Sequence, residues 1–151
     1  MSRQLKVCVI FNILLLLVVL LTGCGKEVEI TNQQGFSICG KGLNENAVLV
    51  SKEVDVFTPE GYHISDIIKK VEYDKYSTIR IFNIHLLDGE KKIQPKEKVK
   101  LTIPVNTELF TKCIVIVLKN DNTTEIVTPT VESKSISFET SELNYFIIAN
   151  K

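Results

Sequence analysis

An alternation of apolar and polar residues with a period of two is the feature that most constrains this fold. In KVKLTIPV, at residues 98–105, every second residue is apolar. This period indicates a β-strand with one face in the core and the other in water. It predicts that Ile103 is buried between two sheets and that Lys100 faces solvent. Because Pro104 has no N–H to donate to a neighbouring strand, the strand should lie at a sheet edge or end there.

Other short segments rich in Val, Ile, Thr and Phe are separated by turn residues. Asp88-Gly89 predicts a hairpin after a strand over residues 79–87, because both central residues of such a turn can adopt positive φ. Asn120-Asp121-Asn122 predicts a second turn. Further strands are predicted at residues 113–118, 125–128, 135–140 and 145–149. Strands spaced about 8–12 residues apart indicate a mostly β fold, either a sandwich or a barrel.

One amphipathic helix is predicted between residues 59 and 76. Four apolar residues recur there at helical spacing: Ile64, Ile67, Ile68 and Val71. Ser65 or Asp66 could cap the start of the helix. We expect its apolar stripe to cover an open end of the sandwich.

The N-terminal segment differs from the rest of the chain. Arg3 and Lys6 are the only charged residues before Lys26, and residues 7–21 are apolar apart from Asn12. A helix over that apolar segment would span about 22 Å, at about 1.5 Å per residue, against about 30 Å of bilayer hydrocarbon. A basic start, a short apolar stretch and a small-residue end therefore predict a secretory signal peptide.

The apolar segment ends with LTGC at residues 21–24. A leucine, two small residues and a cysteine resemble the lipobox of bacterial lipoproteins. The resemblance implies cleavage between Gly23 and Cys24 and a thioether between the Cys24 thiol and a diacylglyceryl group, whose two acyl chains give stable anchoring. The alternative is an uncleaved anchor in which Cys24 is unmodified. Both readings predict a domain held at the extracytoplasmic face of a bacterial cell membrane.

The composition changes again at Ala47. Residues 25–46 contain four glycines, several amides and few apolar side chains. They predict a flexible tether with a reach of about 25 Å on average, including one short strand around residues 36–39. The sequence thus predicts a signal peptide over residues 1–23, a lipidated N-terminus and tether over 24–46, and a β-sandwich domain over 47–151.

The charge balance argues against a nucleic-acid partner. Without Arg3 and Lys6 the chain has 16 basic and 18 acidic residues, whereas nucleic-acid-binding domains are basic. Five lysines cluster after the predicted hairpin turn, namely Lys91, Lys92, Lys96, Lys98 and Lys100. Lysines at a strand edge commonly block strand-to-strand aggregation, and that is the role we expect for them.

Two cysteines, Cys39 and Cys113, remain beyond the N-terminal segment. An exported pair could form a disulfide. Cys113 begins the apolar stretch CIVIVL, so it could equally be a small buried residue. The sequence leaves both alternatives open.

Candidate catalytic and metal-binding groups are sparse. His63 and His85 are the only histidines, and neither lies in a metal-ligand motif. The chain contains no GxSxG elbow and no SxxK pair. Asp121 is more typical of a turn than of a calcium loop. We therefore predict no catalytic residue, no metal site and no cofactor.

The C-terminal half carries a second resemblance. LLDGEKKIQP at residues 86–95, VKLTIPV at 99–105 and SISFETSELNYFII at 135–148 follow one another in this order. The series resembles a β-sandwich module of surface and secreted proteins of Gram-positive bacteria. That resemblance implies an immunoglobulin-like or related sandwich that serves as a spacer or binding module, without catalytic residues to transfer.

Together these patterns predict a lipid-anchored envelope protein whose sandwich is a non-catalytic binding or structural module. Its partner would be an envelope protein or a wall polymer. One alternative is a solute-binding lipoprotein of a transport system, although a single domain lacks the second lobe such proteins close on a ligand. Another is a small envelope enzyme, which a pocket holding His63 or His85 beside a carboxylate would favour.

Overall fold

A computed structural model describes residues 26–69, 78–106, 108–110 and 112–150. These residues form two antiparallel β-sheets with a hydrophobic core between them and one short helix outside. The prediction of a mostly β sandwich with one short helix is therefore confirmed.

Sheet A consists of five strands: β1 (Glu27–Thr31), β2 (Ser37–Lys41), β6 (Val99–Pro104), β9 (Thr130–Val131) and β10 (Ser135–Thr140). Their order across the sheet is β1-β2-β6-β10-β9, and all neighbours are antiparallel. Two of them, β6 and β10, coincide closely with the segments predicted from the alternation.

Sheet B contains six strands: β3 (Val48–Val54), β4 (Thr78–Asp88), β5 (Lys91–Ile93), β7 (Cys113–Leu118), β8 (Thr124–Val127) and β11 (Tyr145–Asn150). The order is β3-β4-β11-β7-β8, with β5 paired to the end of β4. The last two strands, β10 and β11, lie in opposite sheets, whereas those of an immunoglobulin domain share one sheet. The chain thus has the sandwich architecture of that class with a different strand order.

The alternation in β6 has the predicted register. Ile103 is 0% exposed and lies in the core between the sheets, whereas the Lys100 side chain is 57% exposed. The middle of β6 pairs with β2 on one side and β10 on the other. The strand is therefore interior and ends at Pro104, which was the second of the two predicted alternatives.

The helix, α1 (Pro59–Ile68), begins at the start of the predicted range but before the two residues predicted as its cap. Its cap is Thr58, whose hydroxyl accepts a hydrogen bond from the Gly61 N–H at 3.2 Å, with Pro59 in the first turn. Ser65 and Asp66, predicted as candidate caps, lie inside the helix. A proline at the first helical position suits a helix start, because its missing N–H would have no partner there.

The helix also lies in a different place from the one expected. Ile64 and Ile68 are buried and form a second apolar cluster with residues on the outer face of sheet B, including Ile81, Ile116 and Ile147. Sheet B therefore needs cover on both faces, and all six residues of β7 are buried. The expectation that α1 covers an open end of the sandwich is wrong. Val71, the last residue of the predicted apolar stripe, lies outside the described residues.

The predicted tether is wrong for residues 27–46. Glu27 pairs with Lys41 at one end of the β1–β2 ladder, and β2 then pairs with β6. Phe36 and Ile38 are buried in the core between the sheets. The folded domain therefore begins at Glu27 instead of Ala47, and the short strand expected around residues 36–39 is β2.

The predicted turns form with one adjustment. Asp88 pairs with Lys91, so the two-residue hairpin turn is Gly89-Glu90, and Gly89 has a φ of 60°. Only this glycine has a positive φ in the turn, which is the pattern of a II′ hairpin. The turn over residues 120–122 is closed by a hydrogen bond from the Lys119 N–H to the Thr123 carbonyl at 2.9 Å.

Candidate functional site

The predicted lipidation and cleavage residues, Cys24 and Gly23, lie outside the described residues. Lipid attachment at Cys24 therefore stays a prediction. Among the described residues, no helix is long and apolar enough to cross a membrane.

Cys39 and Cys113 are both free thiols. Cys113 is buried in the core between the sheets. Cys39 is half-buried and lies on the opposite side of β2 from the core residue Ile38, beside Glu29 and Lys100. The Cys113 thiol lies in the core, whereas the Cys39 thiol lies on the outer face of sheet A. Sheet A therefore separates the two thiols, and the possible disulfide does not form. Burial is the largest cause that raises the pKa of each thiol.

A polar cluster lies on the outer face of sheet B beside the start of α1. We name it the Tyr145 cluster, and it consists of Lys52, Glu60, Asn83 and Tyr145. The Tyr145 hydroxyl donates a hydrogen bond to Glu60 Oε1 at 2.8 Å. The Lys52 ammonium lies 3.5 Å from Glu60 Oε2.

Strand register and helix position together assemble this cluster. Asn83 pairs with Tyr145 of β11 on one side and with Lys52 of β3 on the other, so the three side chains form one row. The first turn of α1 adds the Glu60 carboxylate above that row. Sequence reasoning missed the cluster, because Glu60 and Tyr145 are 85 residues apart and no local pattern connects them.

The ionisation of the cluster follows from its hydrogen bonds and burial. The hydrogen bond from Tyr145 lowers the pKa of Glu60, with Lys52 adding to the effect. Burial, followed by the hydrogen bond to Glu60, raises the pKa of Tyr145. At neutral pH the ionised Glu60 carboxylate therefore accepts a hydrogen bond from the protonated Tyr145 hydroxyl. The arrangement holds the start of α1 on sheet B.

The two histidines occupy different settings. His85 Nδ1 lies 3.4 Å from the side-chain oxygen of Asn83, and burial, followed by the nearby charge of Lys92, lowers the pKa of His85. His85 is thus a neutral imidazole at neutral pH beside an amide. His63 lies on the exposed side of α1 near Asp66. Within the described ranges, no group of three or more His, Cys, Asp or Glu residues could hold a metal ion.

Three of the five clustered lysines share a cleft at one end of the sandwich. The cleft has a volume of about 710 Å³ and lies between the loop that follows β2 and the segment that follows the β4–β5 turn. Lys91, Lys92 and Lys96 line it together with Asp88. We call this region the lysine cleft. Lys98 lies outside it, and Lys100 lies on interior strand β6 near Glu132 at 3.9 Å, so those two do not mark a sheet edge as predicted.

The opposite end of the sandwich is closed by an ion pair. Arg80 donates two hydrogen bonds of 2.7 Å to the Glu53 carboxylate, and its guanidinium lies 4.8 Å from the centre of the Phe82 ring. Two large apolar side chains are exposed on loops at this end: Phe57, which follows β3, is 78% exposed, and Leu109, which follows β6, is 55% exposed. This end therefore combines an ion pair with two exposed apolar side chains.

No protein-family model, curated protein or solved structure matched this chain in the three comparisons made. The likeness to the Gram-positive module therefore stays a resemblance of motifs.

Proposed function

We propose that the chain is a membrane-anchored lipoprotein of the bacterial cell envelope, whose sandwich is a non-catalytic binding or structural module. The observation that carries the proposal is LTGC at the end of an apolar segment, followed directly by a folded β domain from Glu27. A lipid on Cys24 gives that domain a fixed position at the membrane surface.

The polar groups of the domain support a non-catalytic role. Hydrogen bonding from Tyr145, with the charge of Lys52, keeps Glu60 ionised. Glu53 accepts hydrogen bonds from Nε and Nη2 of Arg80. Carboxylates fixed in this way stabilise the fold and are poorly suited to accept a proton near pH 7, which a general base must do.

The end of the sandwich that carries Phe57 and Leu109 is the proposed contact surface for an envelope protein or a wall polymer. A contiguous exposed apolar patch is typical of an interaction site, and we propose that Phe57 and Leu109 contribute to one. Replacement of both by serine should reduce capture of the partner by the anchored protein in crosslinked envelopes. Ile126 is 51% exposed on β8, so Ile126→Ser is the control and should leave capture unchanged.

The anchor is tested by replacing the cysteine. Cys24→Ala should abolish incorporation of a palmitate analogue and leave a larger, uncleaved precursor on a denaturing gel. Cys39→Ala is the matched control, because it removes a thiol from the same protein and should keep both the label and the cleavage. Undiminished labelling of Cys24→Ala would refute the proposal.

A further inference from the structure

The lysine cleft lies at the end of the domain where the chain leaves for Cys24. We infer that this cleft docks on the anionic phospholipid headgroups of the same bilayer that holds the lipid anchor, with Lys91, Lys92 and Lys96 contacting phosphate. The inference rests on the proposed lipidation of Cys24 and assigns the domain a defined orientation on the membrane.

Chain length gives the first argument. β1 begins three residues after Cys24. Consecutive Cα atoms are about 3.8 Å apart, so Glu27 lies at most about 11 Å from the Cα of the lipidated residue. Each headgroup layer of a bilayer is about 5–8 Å thick. The start of β1 is therefore held against the bilayer surface, since residues 27–46 belong to the sheet and its loops and do not form a tether.

Strand direction gives the second argument. β1 enters the fold at Glu27, which pairs with Lys41, the last residue of β2. The loop after β2, at residues 42–44, forms one wall of the lysine cleft, and the β4–β5 turn region forms the other. The point of attachment and the cleft thus share one end of the sandwich.

Charge gives the third argument. Three ammonium groups line the cleft against one carboxylate, that of Asp88. Within the part of the chain that the structure describes, none of the three lysines forms an ion pair with a carboxylate, whereas Lys26 pairs with Glu45 and Lys119 with Glu125. An ammonium group near an anionic membrane surface contributes about 1 kcal/mol, or about fivefold in binding.

The test measures how fast each lysine reacts in the lipidated full-length protein. The protein is extracted from membranes and reconstituted in vesicles of phosphatidylcholine alone or of phosphatidylcholine and phosphatidylglycerol in equal parts. A membrane-impermeant acetylating ester then modifies exposed lysines, which are quantified by mass spectrometry. Lys112 and Lys134 serve as internal references, because both lie at the opposite end, Lys112 before β7 and Lys134 bonded to Val105 after β6.

We expect Lys91, Lys92 and Lys96 to react several-fold more slowly in the anionic vesicles than in the neutral ones, while the two reference lysines react equally in both. Lys91→Gln/Lys92→Gln should remove the protection of Lys96. Lys112→Gln/Lys134→Gln removes the same number of charges and should keep that protection. Equal rates for Lys96 in the two kinds of vesicle, or equal effects of the two double variants, would overturn the inference.

The same mass spectra separate this inference from the proposed function. The mass of the N-terminal peptide shows whether Cys24 carries the lipid. Lipidated Cys24 with unprotected cleft lysines refutes the docking surface alone. An unmodified Cys24 refutes the anchor, and the docking surface falls with it.

Discussion

Ile103 in β6 is the position where the alternation predicts most directly that a substitution destabilises the fold. It is 0% exposed and packs in the core between the sheets. Replacing isoleucine with alanine removes three carbon atoms, worth about 2.4 kcal/mol at about 0.8 kcal/mol for each buried methylene. The cavity left behind adds to this loss, and measured values for such changes are about 2–5 kcal/mol. We expect Ile103→Ala in the upper part of that range, because rigid strands on both sides limit collapse of the cavity.

Lys100 is the matched control on the same strand. Its side chain is 57% exposed, and its ammonium is 3.9 Å from Glu132, a distance at which an exposed ion pair contributes little. Lys100→Ala should therefore change stability by no more than about 0.5 kcal/mol.

Urea melts of a soluble form that begins at Gly25 measure both variants. The expected difference is a large share of a total stability of about 5–15 kcal/mol. If Lys100→Ala proved more damaging than Ile103→Ala, the register of β6 would be shifted by one residue, since neighbouring side chains point to opposite faces. The core between the sheets would then be wrongly assigned.

Three further predictions follow from other parts of the fold. A chain that begins at Ala47 lacks β2, which covers one side of β6, and by circular dichroism and light scattering it should be unfolded or aggregated, whereas the chain from Gly25 should be folded and give a β spectrum. Thr58→Ala should cost about 1 kcal/mol in urea melts through loss of the helix cap, while Thr128→Ala in an exposed loop should cost nothing measurable. Tyr145→Phe should destabilise the domain most near neutral pH. The lowered pKa of Glu60 stabilises the fold above the ordinary carboxyl range, and this contribution is lost as the pH falls through the lowered pKa. A destabilisation by Tyr145→Phe that is constant from pH 7 to strongly acidic pH would contradict the role of the hydrogen bond.

Local patterns were sufficient to predict most strands. β7 and β10 have the predicted bounds, β11 extends one residue beyond its predicted end, and β4 and β8 differ from their predicted bounds by one residue at each end. These strands are specified by alternation or by a continuous apolar run, together with turn residues such as Gly89 and Asn122 that have positive φ. Such signals are contained within a few neighbouring residues, which is why the sequence alone reveals them.

Features that depend on distant residues could not be predicted in the same way. The place of α1 on the outer face of sheet B depends on Ile81, Ile116 and Ile147, which come from three strands. The Tyr145 cluster depends in turn on the place of α1. The sequence did contain one signal that sheet B is covered on both faces, because all six residues of β7 are apolar. The structure shows all six buried. A strand with two buried faces requires cover on both sides of its sheet, and α1 is the element that supplies it.

Three of the four glycines that suggested a tether, Gly35, Gly40 and Gly42, have structural roles instead. A Cβ added to Gly40 would lie 2.7 Å from a side-chain carbon of Val99 on the neighbouring strand β6, so glycine permits the close approach of β2. Gly35 and Gly42 have φ angles of 84° and 70° at the two ends of β2. Composition alone cannot distinguish a glycine that permits close packing or a turn from one that loosens a linker.

Whether residues 27–46 are folded or form a tether decides how the domain would be oriented on the membrane. A tether of twenty or so residues would let the sandwich rotate freely at an average distance of about 25 Å, and the two ends would then be equivalent toward the bilayer. With β1 beginning at Glu27, the proposed lipid on Cys24 instead holds one particular end against the headgroups. The lysine cleft is at that end, while Phe57 and Leu109 are exposed at the other. Under the two proposals, the short connection gives each end a separate role: the cleft lysines face lipid phosphate, and the end with Phe57 and Leu109 faces the envelope partner.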